Sequence, residues 1–392
     1  MSTTNPSNKL RFILSGGGTG GHIFPAVAIA NELQNRFGEN ATILFVGALG
    51  KMEMTKVPQA GYEIIGLPIE GLKRSLSPRN IIVGLKTIIS FIKARRIIKT
   101  FKPDAVIGTG GYASLPVCFM ASKMGIPVFL QEQNGFAGLT NKIVGKNAVT
   151  TCTGFPEMEK FFPGGNWKFT GNPVRKNIID SAEVYHQSPE KTKEEAAQKF
   201  GFTTEKPVLF ITGGSLGART INESIANGLP ALTQAGIQVI WQMGERFWDA
   251  NQCAISEKID QLEAENGQKP AILFSAFLNN MDEAYQAADL VVARSGAITI
   301  SELCILAKPA ILIPSPNVTD DHQTKNAQVL SNRHAAVLIP DKNCEVELIP
   351  TILDLIHNQD KKKQMCEQLM ALAKPDATSQ IVDILTKHIS NK

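Results

Sequence analysis

Leu10–Gly21 reads LRFILSGGGTGG, an apolar β-type run that ends in clustered glycines and leads into a helical pattern. Pro207–Ala218, PVLFITGGSLGA, repeats that grammar in the second half of the chain. Working outward, β-type runs at Arg11–Leu14, Thr42–Val46, Ala105–Ile107 and Pro127–Leu130, then at Val208–Ile211, Gln238–Trp241, Leu290–Ala293 and Ala310–Ile313, alternate with helical patterns. Such alternation predicts parallel sheets with crossover helices. The fold class is therefore α/β, with two Rossmann-like domains. A joint falls near residues 170–190, between GNPVRK at Gly171–Lys176 and a polar stretch over Glu183–Lys199. The expected boundaries are 1–175 and 176–392, with the last helix, 376–392, a candidate to pack back toward the first domain.

Composition supports this division. At roughly 100–200 residues per domain, 392 residues suffice for two cores. With 43% hydrophobic and 19% charged residues, the chain is neither disordered nor a many-span membrane protein. Lys plus Arg (40) minus Asp plus Glu (36) leaves +4, too mild to imply nucleic acid. Cys118, Cys152, Cys253, Cys304, Cys344 and Cys366 form no C-x-x-C pair, so they read as core thiols in a reducing compartment. The start, MSTTNPSNKLRF, has no apolar h-region, and the longest uncharged stretch, Ala105–Ser122, is broken by Gly108, Gly110, Gly111 and Pro116. Neither a secretory signal nor a membrane span is expected.

Ser15–His22, SGGGTGGH, places backbone N–H groups and the start of a helix, expected near Pro25, where they can converge on an anion. Gly16, Gly18 and Gly21 also fit G-x-G-x-x-G. The next β-run, however, ends Phe45-Val46-Gly47-Ala48 without the acid a dinucleotide ribose needs, so no nicotinamide or flavin cofactor is expected. Gly213–Gly217, GGSLG, offers a similar cradle with a hydroxyl. At Leu290–Leu303, Ser295-Gly296-Ala297 begins a helix with Glu302 inside it; Glu302 either accepts from a ribose diol or completes a capping box with Thr299. His22 stands beside the first loop as a candidate base or as a structural histidine. Asp320-Asp321-His322-Gln323 follows a β-run, where α/β sheets bind ligands, or is a solvated loop. With no Asp-x-Asp and no His/Cys cluster, no metal is expected.

Seven motifs in order, SGGGTGGHIFPAVAIA, GTGGYASLPV (108–117), QEQNGFAGLTNK (131–142), GNPVR (171–175), GGSLGAR (213–219), ADLVVARSGAITISEL (288–303) and DDHQTKNA (320–327), resemble the MurG family of glycosyltransferases. The resemblance implies the GT-B fold, two Rossmann-like domains with parallel sheets facing a central cleft. It implies inverting, metal-independent transfer of GlcNAc from UDP-GlcNAc to the 4-hydroxyl of MurNAc in undecaprenyl-linked lipid I, giving lipid II and UDP in peptidoglycan synthesis. Donor contacts implied are Thr19, Gly20, Gly21, Asn134, Arg175, Ser215, Leu278 through its backbone, Ala297, Ile298, Thr299, Ile300, Ser301, Glu302 and Gln323. Acceptor contacts implied are Gly17, Gly18, His22, Gly110, Gly111 and Tyr112, with His22 the candidate base and Arg175 and Glu302 beside it in the catalytic set. Leu216 and Gln131 stand where many relatives carry Gln and His. Cell-wall and division proteins are candidate partners, and no cofactor is implied.

Asn80–Lys102 carries a separate expectation. Ile81, Ile82, Leu85, Ile88, Ile89 and Ile92 form one helical stripe, read as core. Val83, Phe91 and Ile98 project from the other side among Lys73, Arg74, Arg79, Lys86, Lys93, Arg95, Arg96, Lys99 and Lys102. Val83, Phe91, Ile98, Lys86 and Lys93 are thus the expected contacts with an anionic cytoplasmic leaflet of the inner membrane, the chain sitting there peripherally. A solvated helix is the alternative. Rival functions are a UDP-GlcNAc 2-epimerase, which needs no lipid acceptor, and a non-catalytic subunit that binds a nucleotide sugar.

Overall fold

A computed structural model of the chain describes residues 9–71, 79–164, 166–214 and 217–390. Contacts divide the chain into two units, one of Met1–Val174 with Asp376–Lys392 and the other of Arg175–Pro375. In the first, seven strands form an all-parallel sheet: β1 (Leu10–Gly16), β2 (Ala41–Ala48), β3 (Glu63–Leu67), β4 (Ala105–Gly110), β5 (Val128–Glu132), β6 (Thr150–Thr153) and β7 (Trp167–Phe169), in the order β3-β2-β1-β4-β5-β6-β7. The second unit repeats the plan with β8 (Val208–Thr212), β9 (Gln238–Gln242), β10 (Ile272–Ser275), β11 (Leu290–Ala293), β12 (Ala310–Leu312) and β13 (Val337–Leu338), in the order β10-β9-β8-β11-β12-β13. Both units are Rossmann-like, as the alternation of β-runs and helical patterns predicts.

In each sheet the winding reverses direction beside its first strand, between β1 and β4 and between β8 and β11. At such a switch point the loops leaving neighbouring strands diverge to opposite faces and open a crevice at the carboxyl ends. The glycine clusters after β1 and β8 fall at these two points.

Side-chain alternation sends Phe12 and Leu14 of β1 to one face and Ile13 to the other, so the sheet is apolar on both sides. The Phe12 face is covered by α1 (Gly20–Phe37) and by the helix Ala377–Ser390, whose Ile381, Val382 and Leu385 are buried there. Arg36 of α1 pairs with Asp383 and donates to Ser379 Oγ at 2.6 Å. Helix α1 starts at Gly20, not near Pro25: the Thr19 carbonyl already accepts from His22 and Ile23, and Pro25, lacking an N–H, removes only one bond from an early turn. Cys118, Cys152, Cys304 and Cys344 are buried, whereas Cys253 is exposed, so it is not a core thiol.

The expected membrane face requires correction. Between α1 and the next long helix lies the short α2 (Glu53–Gln59); α3 follows at Arg79–Phe101. On α3 it is Val83 and Ile98 that are buried, with Ser90, Ala94 and Ile97, while Ile81, Ile82, Leu85, Ile88, Ile89 and Ile92 are exposed, from 52% at Ile89 to 71% at Ile81. Phe91 is half-buried edge-on against Phe119 of the helix Leu115–Lys123, ring centroids 5.6 Å apart. Lys86 pairs with Glu70, and Lys93 Nζ donates to the Gly66 carbonyl at 2.8 Å. The physical reason is size. Helix–helix approach selects the face carrying small residues, here Ser90 and Ala94, over the face with the bulkier isoleucines. Lys73 and Arg74 lie outside the described residues. No helix among those described is long and apolar enough to cross a membrane.

Candidate functional site

The first unit gathers its candidate residues where β1 and β4 end. Gly18, Gly110 and Gly111 have positive φ of 88°, 94° and 78°. A Cβ on Gly111 would strike the Gly17 carbonyl, and one on Gly110 would come within 3.1 Å of the His22 ring, so these loops close on each other only as glycine. The Tyr112 ring packs over Gly18 and Gly71. Gly17, Gly18, His22, Gly110, Gly111 and Tyr112 are therefore one cluster, as the motif spacing alone did not establish.

Behind the loop stands a residue that no local motif singles out. Glu53 of α2 is fully buried and accepts from Gly18 N–H at 3.1 Å and Ala48 N–H at 3.0 Å. The Gly18 amide is thus committed, while Thr19, Gly20 and Gly21, at the start of α1, are among the N–H groups for which a helix has no internal acceptor. Asn134 follows β5; its backbone N–H donates to Glu132 at 3.1 Å, and Glu132 also accepts from Gly138 N–H and Asn141 Nδ2 at 2.9 Å each. His22 Nδ1 lies 2.7 Å from Gln133 Oε1.

In the second unit, Arg175 and Glu302 meet directly. Arg175 Nη2 donates to Glu302 Oε1 at 2.8 Å and Nε to the same oxygen at 3.2 Å, while Tyr285 Oη donates to Glu302 Oε2 at 3.2 Å. Burial pushes the Glu302 carboxyl up, an effect that Arg175 and Tyr285 partly oppose. Burial acts to lower the Arg175 guanidinium, but Glu302 outweighs it and raises it. Burial and the Glu302 charge both raise the Tyr285 hydroxyl well above its ordinary value, which keeps it a donor. Glu302 is therefore no capping residue. The helix Ala297–Leu306 is preceded by Gly296 with no side-chain cap, so Ala297, Ile298 and Thr299 present uncapped N–H groups. Ile300 N–H bonds to the Gly296 carbonyl, and Ser301 Oγ to that of Ala297.

Ser295 Oγ donates to the Gln323 carbonyl at 2.9 Å, and Gln323 Oε1 accepts from Ser315 N–H at 2.8 Å, which ties the DDHQ loop to the end of β11. The Leu278 N–H donates to Gln242 Oε1 at 3.1 Å, and Gln242 Nε2 reaches Thr212 Oγ1 at 3.2 Å, so Leu278 is anchored to the ends of β8 and β9 with its N–H already in use. Ser215 lies outside the described residues. Among those described, no group of His, Cys, Asp and Glu could hold a metal ion. Tyr285 and Gln133 are additions from the structure: Tyr285 sits in an ordinary helical pattern, and Gln133 was legible only as a member of the QEQN motif.

The chain matches the N-terminal domain model of glycosyltransferase family 28 over residues 12–153 and the C-terminal domain model over 208–381. It is 47% identical to the "UDP-N-acetylglucosamine--N-acetylmuramyl-(pentapeptide) pyrophosphoryl-undecaprenol N-acetylglucosamine transferase" of Porphyromonas gingivalis, covering 100% of this chain and 99% of the relative. The protein of the same description from Cytophaga hutchinsonii is 48% identical, covering 95% of each. Among solved structures, Acinetobacter baumannii MurG aligns with a TM-score of 0.75 and 28% identity over 96% of this chain and 99% of that one.

Proposed function

The chain belongs to the MurG family of glycosyltransferases, and from that premise we propose that it moves GlcNAc from UDP-GlcNAc to the MurNAc 4-hydroxyl of undecaprenyl-linked lipid I, with inversion at C1. The observation that carries the reading is full-length identity near one half, joined to two switch-point sites, each in its own unit. In this reading the acceptor hydroxyl gives its proton to His22 Nε2. Its oxygen attacks C1, and the C1–O bond to the diphosphate breaks with its electron pair leaving on UDP.

The second unit takes the donor. The ribose hydroxyls donate to Glu302 at the oxygen Arg175 now holds, which releases the guanidinium to the diphosphate. The Ala297–Thr299 amides and the helix N-terminus offset the charge that builds on departing UDP. Gln323, its carbonyl end held by Ser315, offers its NH₂ to the sugar.

The lipid acceptor requires a surface contact, and the exposed face of α3 is suited to it. The apolar stripe Ile81, Leu85, Ile88 and Ile92 runs on through exposed Arg95, Arg96 and Lys99 at helical spacing. Apolar side chains followed by cations fit an anionic leaflet, so we place the protein peripherally on the cytoplasmic side of the membrane.

Transfer of radiolabelled GlcNAc to a short-chain lipid I analogue tests the reaction. Label in a disaccharide-lipid, unaffected by EDTA, supports it; label found only in a 2-epimer, or merely bound, refutes it. His22→Ala is expected to lower turnover at saturation by roughly 10²–10⁴.

A further inference from the structure

Gln133 faces the half-buried His22 ring with a defined end. Its Nε2 donates to the Thr109 carbonyl at 2.8 Å, to the Gln131 carbonyl at 3.2 Å and to Gln131 Oε1. All three are oxygens that only accept, so the NH₂ must point to them and Oε1 to His22. Because Oε1 cannot donate, the proton in the His22–Gln133 bond belongs to Nδ1. Gln131 is oriented in turn: its Nε2 donates to Asn172 Oδ1 at 2.8 Å, and Asn172 Nδ2 donates to the Gln133 carbonyl at 3.0 Å. Asn172, Gln131 and Gln133 are all at most 2% exposed. They form a directional chain of amides with no ionisable member, ending at the imidazole.

We propose that Gln133, backed by Gln131 and Asn172, is a positioning residue that locks His22 in its Nδ1–H tautomer and so leaves the Nε2 lone pair for the acceptor hydroxyl. The inference rests on the reading of His22 as base and supplies what that reading needs. An Nε2–H ring would present a donor to the hydroxyl and could not take its proton there. As Nε2 accepts the proton and the hydroxyl electron pair moves to C1, Nδ1–H keeps its bond to Gln133 Oε1. The aligned amide dipoles then face the new imidazolium with their negative end, without a buried carboxylate in the chain. Gln131, an amide at both of its bonds, keeps a neutral link at this point.

Nitrogen-15 NMR of protein labelled on its histidine rings tests the tautomer directly, His22 being assigned by the signals lost in His22→Gln. At a pH where the ring is neutral, the wild type should show a protonated-type Nδ1 and a lone-pair-type Nε2. Gln133→Met should shift His22 toward the Nε2–H form, the one favoured by imidazole in water, and lower kcat about tenfold or more with little change in KM for UDP-GlcNAc. Gln133→Glu, which keeps an oxygen opposite Nδ1, should restore the Nδ1–H signals. An Nε2–H ring in the wild type overturns the proposal, as does an unchanged tautomer in a folded Gln133→Met. An Nδ1–H wild type whose His22→Ala variant retains full kcat would uphold the tautomer assignment and overturn the base role alone.

Discussion

Arg175 Nη2 and Glu302 Oε1 lie 2.8 Å apart, with the carboxylate only 5% exposed and the guanidinium half exposed. The buried partner depends on the accessible one. Replacing Arg175 with Ala leaves Glu302 with Tyr285 alone, and its carboxyl, already raised by burial, rises further. A raised carboxyl keeps its proton in the folded state after the unfolded chain has lost it, so stability falls as pH rises above the ordinary carboxylate value. Thermal unfolding of Arg175→Ala should therefore differ least from wild type near pH 4.5 and progressively more toward pH 7. A difference that is constant with pH would show that the pair is not coupled in this way.

Glu302→Gln keeps the shape but replaces a charged acceptor. Hydrogen bonds to charged groups are worth about 1.5–3 kcal/mol, so UDP should bind roughly tenfold to a hundredfold more weakly by calorimetry. Equal affinity would remove Glu302 from the nucleotide.

Glu53→Ala leaves the buried Ala48 N–H and the half-buried Gly18 N–H without their acceptor. We expect a loss of about 1–3 kcal/mol in denaturant unfolding and a larger fall in kcat/KM for the acceptor than for UDP-GlcNAc. Equal effects on both substrates would mean general damage.

Ile88→Glu and Ile92→Glu change exposed positions of α3, so the unfolding temperature should hold while binding to anionic vesicles drops and activity on a water-soluble acceptor persists. Phe91→Glu should instead destabilise the protein, because it breaks the ring contact with Phe119.

Lys308 is fully buried, donates to the Gln286 and Ala288 carbonyls at 3.1 Å each, and lies 3.8 Å from the centre of the Tyr185 ring. Burial pushes its amine down to about 7 from 10.5. The unfolded chain therefore holds more protons between those values, and Lys308 contributes increasing stability as pH rises through that window. Relative to Lys308→Met, the wild type should gain in unfolding temperature from pH 7 to pH 10. A gap that stays constant over this range would contradict a depressed amine.

What the sequence made legible was whatever short-range pattern decides. Apolar runs such as Phe12–Leu14 and Val208–Ile211, too short for helices and bounded by turn residues, read as buried strands, and clustered glycines after them mark the switch points. β6, Thr150–Thr153, carries no long apolar run and escaped notice. Two apolar stripes compete on α3, and the buried one is the one that carries the small residues Ser90 and Ala94. The sequence leaves Glu302 between ligand and cap because Arg175, its partner, is 127 positions away. Likewise the His22–Gln133 contact spans 111 positions, a distance no local pattern encodes.

The helix Ala377–Ser390 covers Phe12, Leu14 and Phe129 of a sheet whose last strand ends at Phe169. During synthesis, the ribosome must translate the whole of Arg175–Pro375 before that cover exists. The nascent first unit thus waits with an apolar sheet face partly bare until residues 377–390 have been made. Chaperone demand, and the harm done by losing residues 377–390, should fall on the N-terminal sheet.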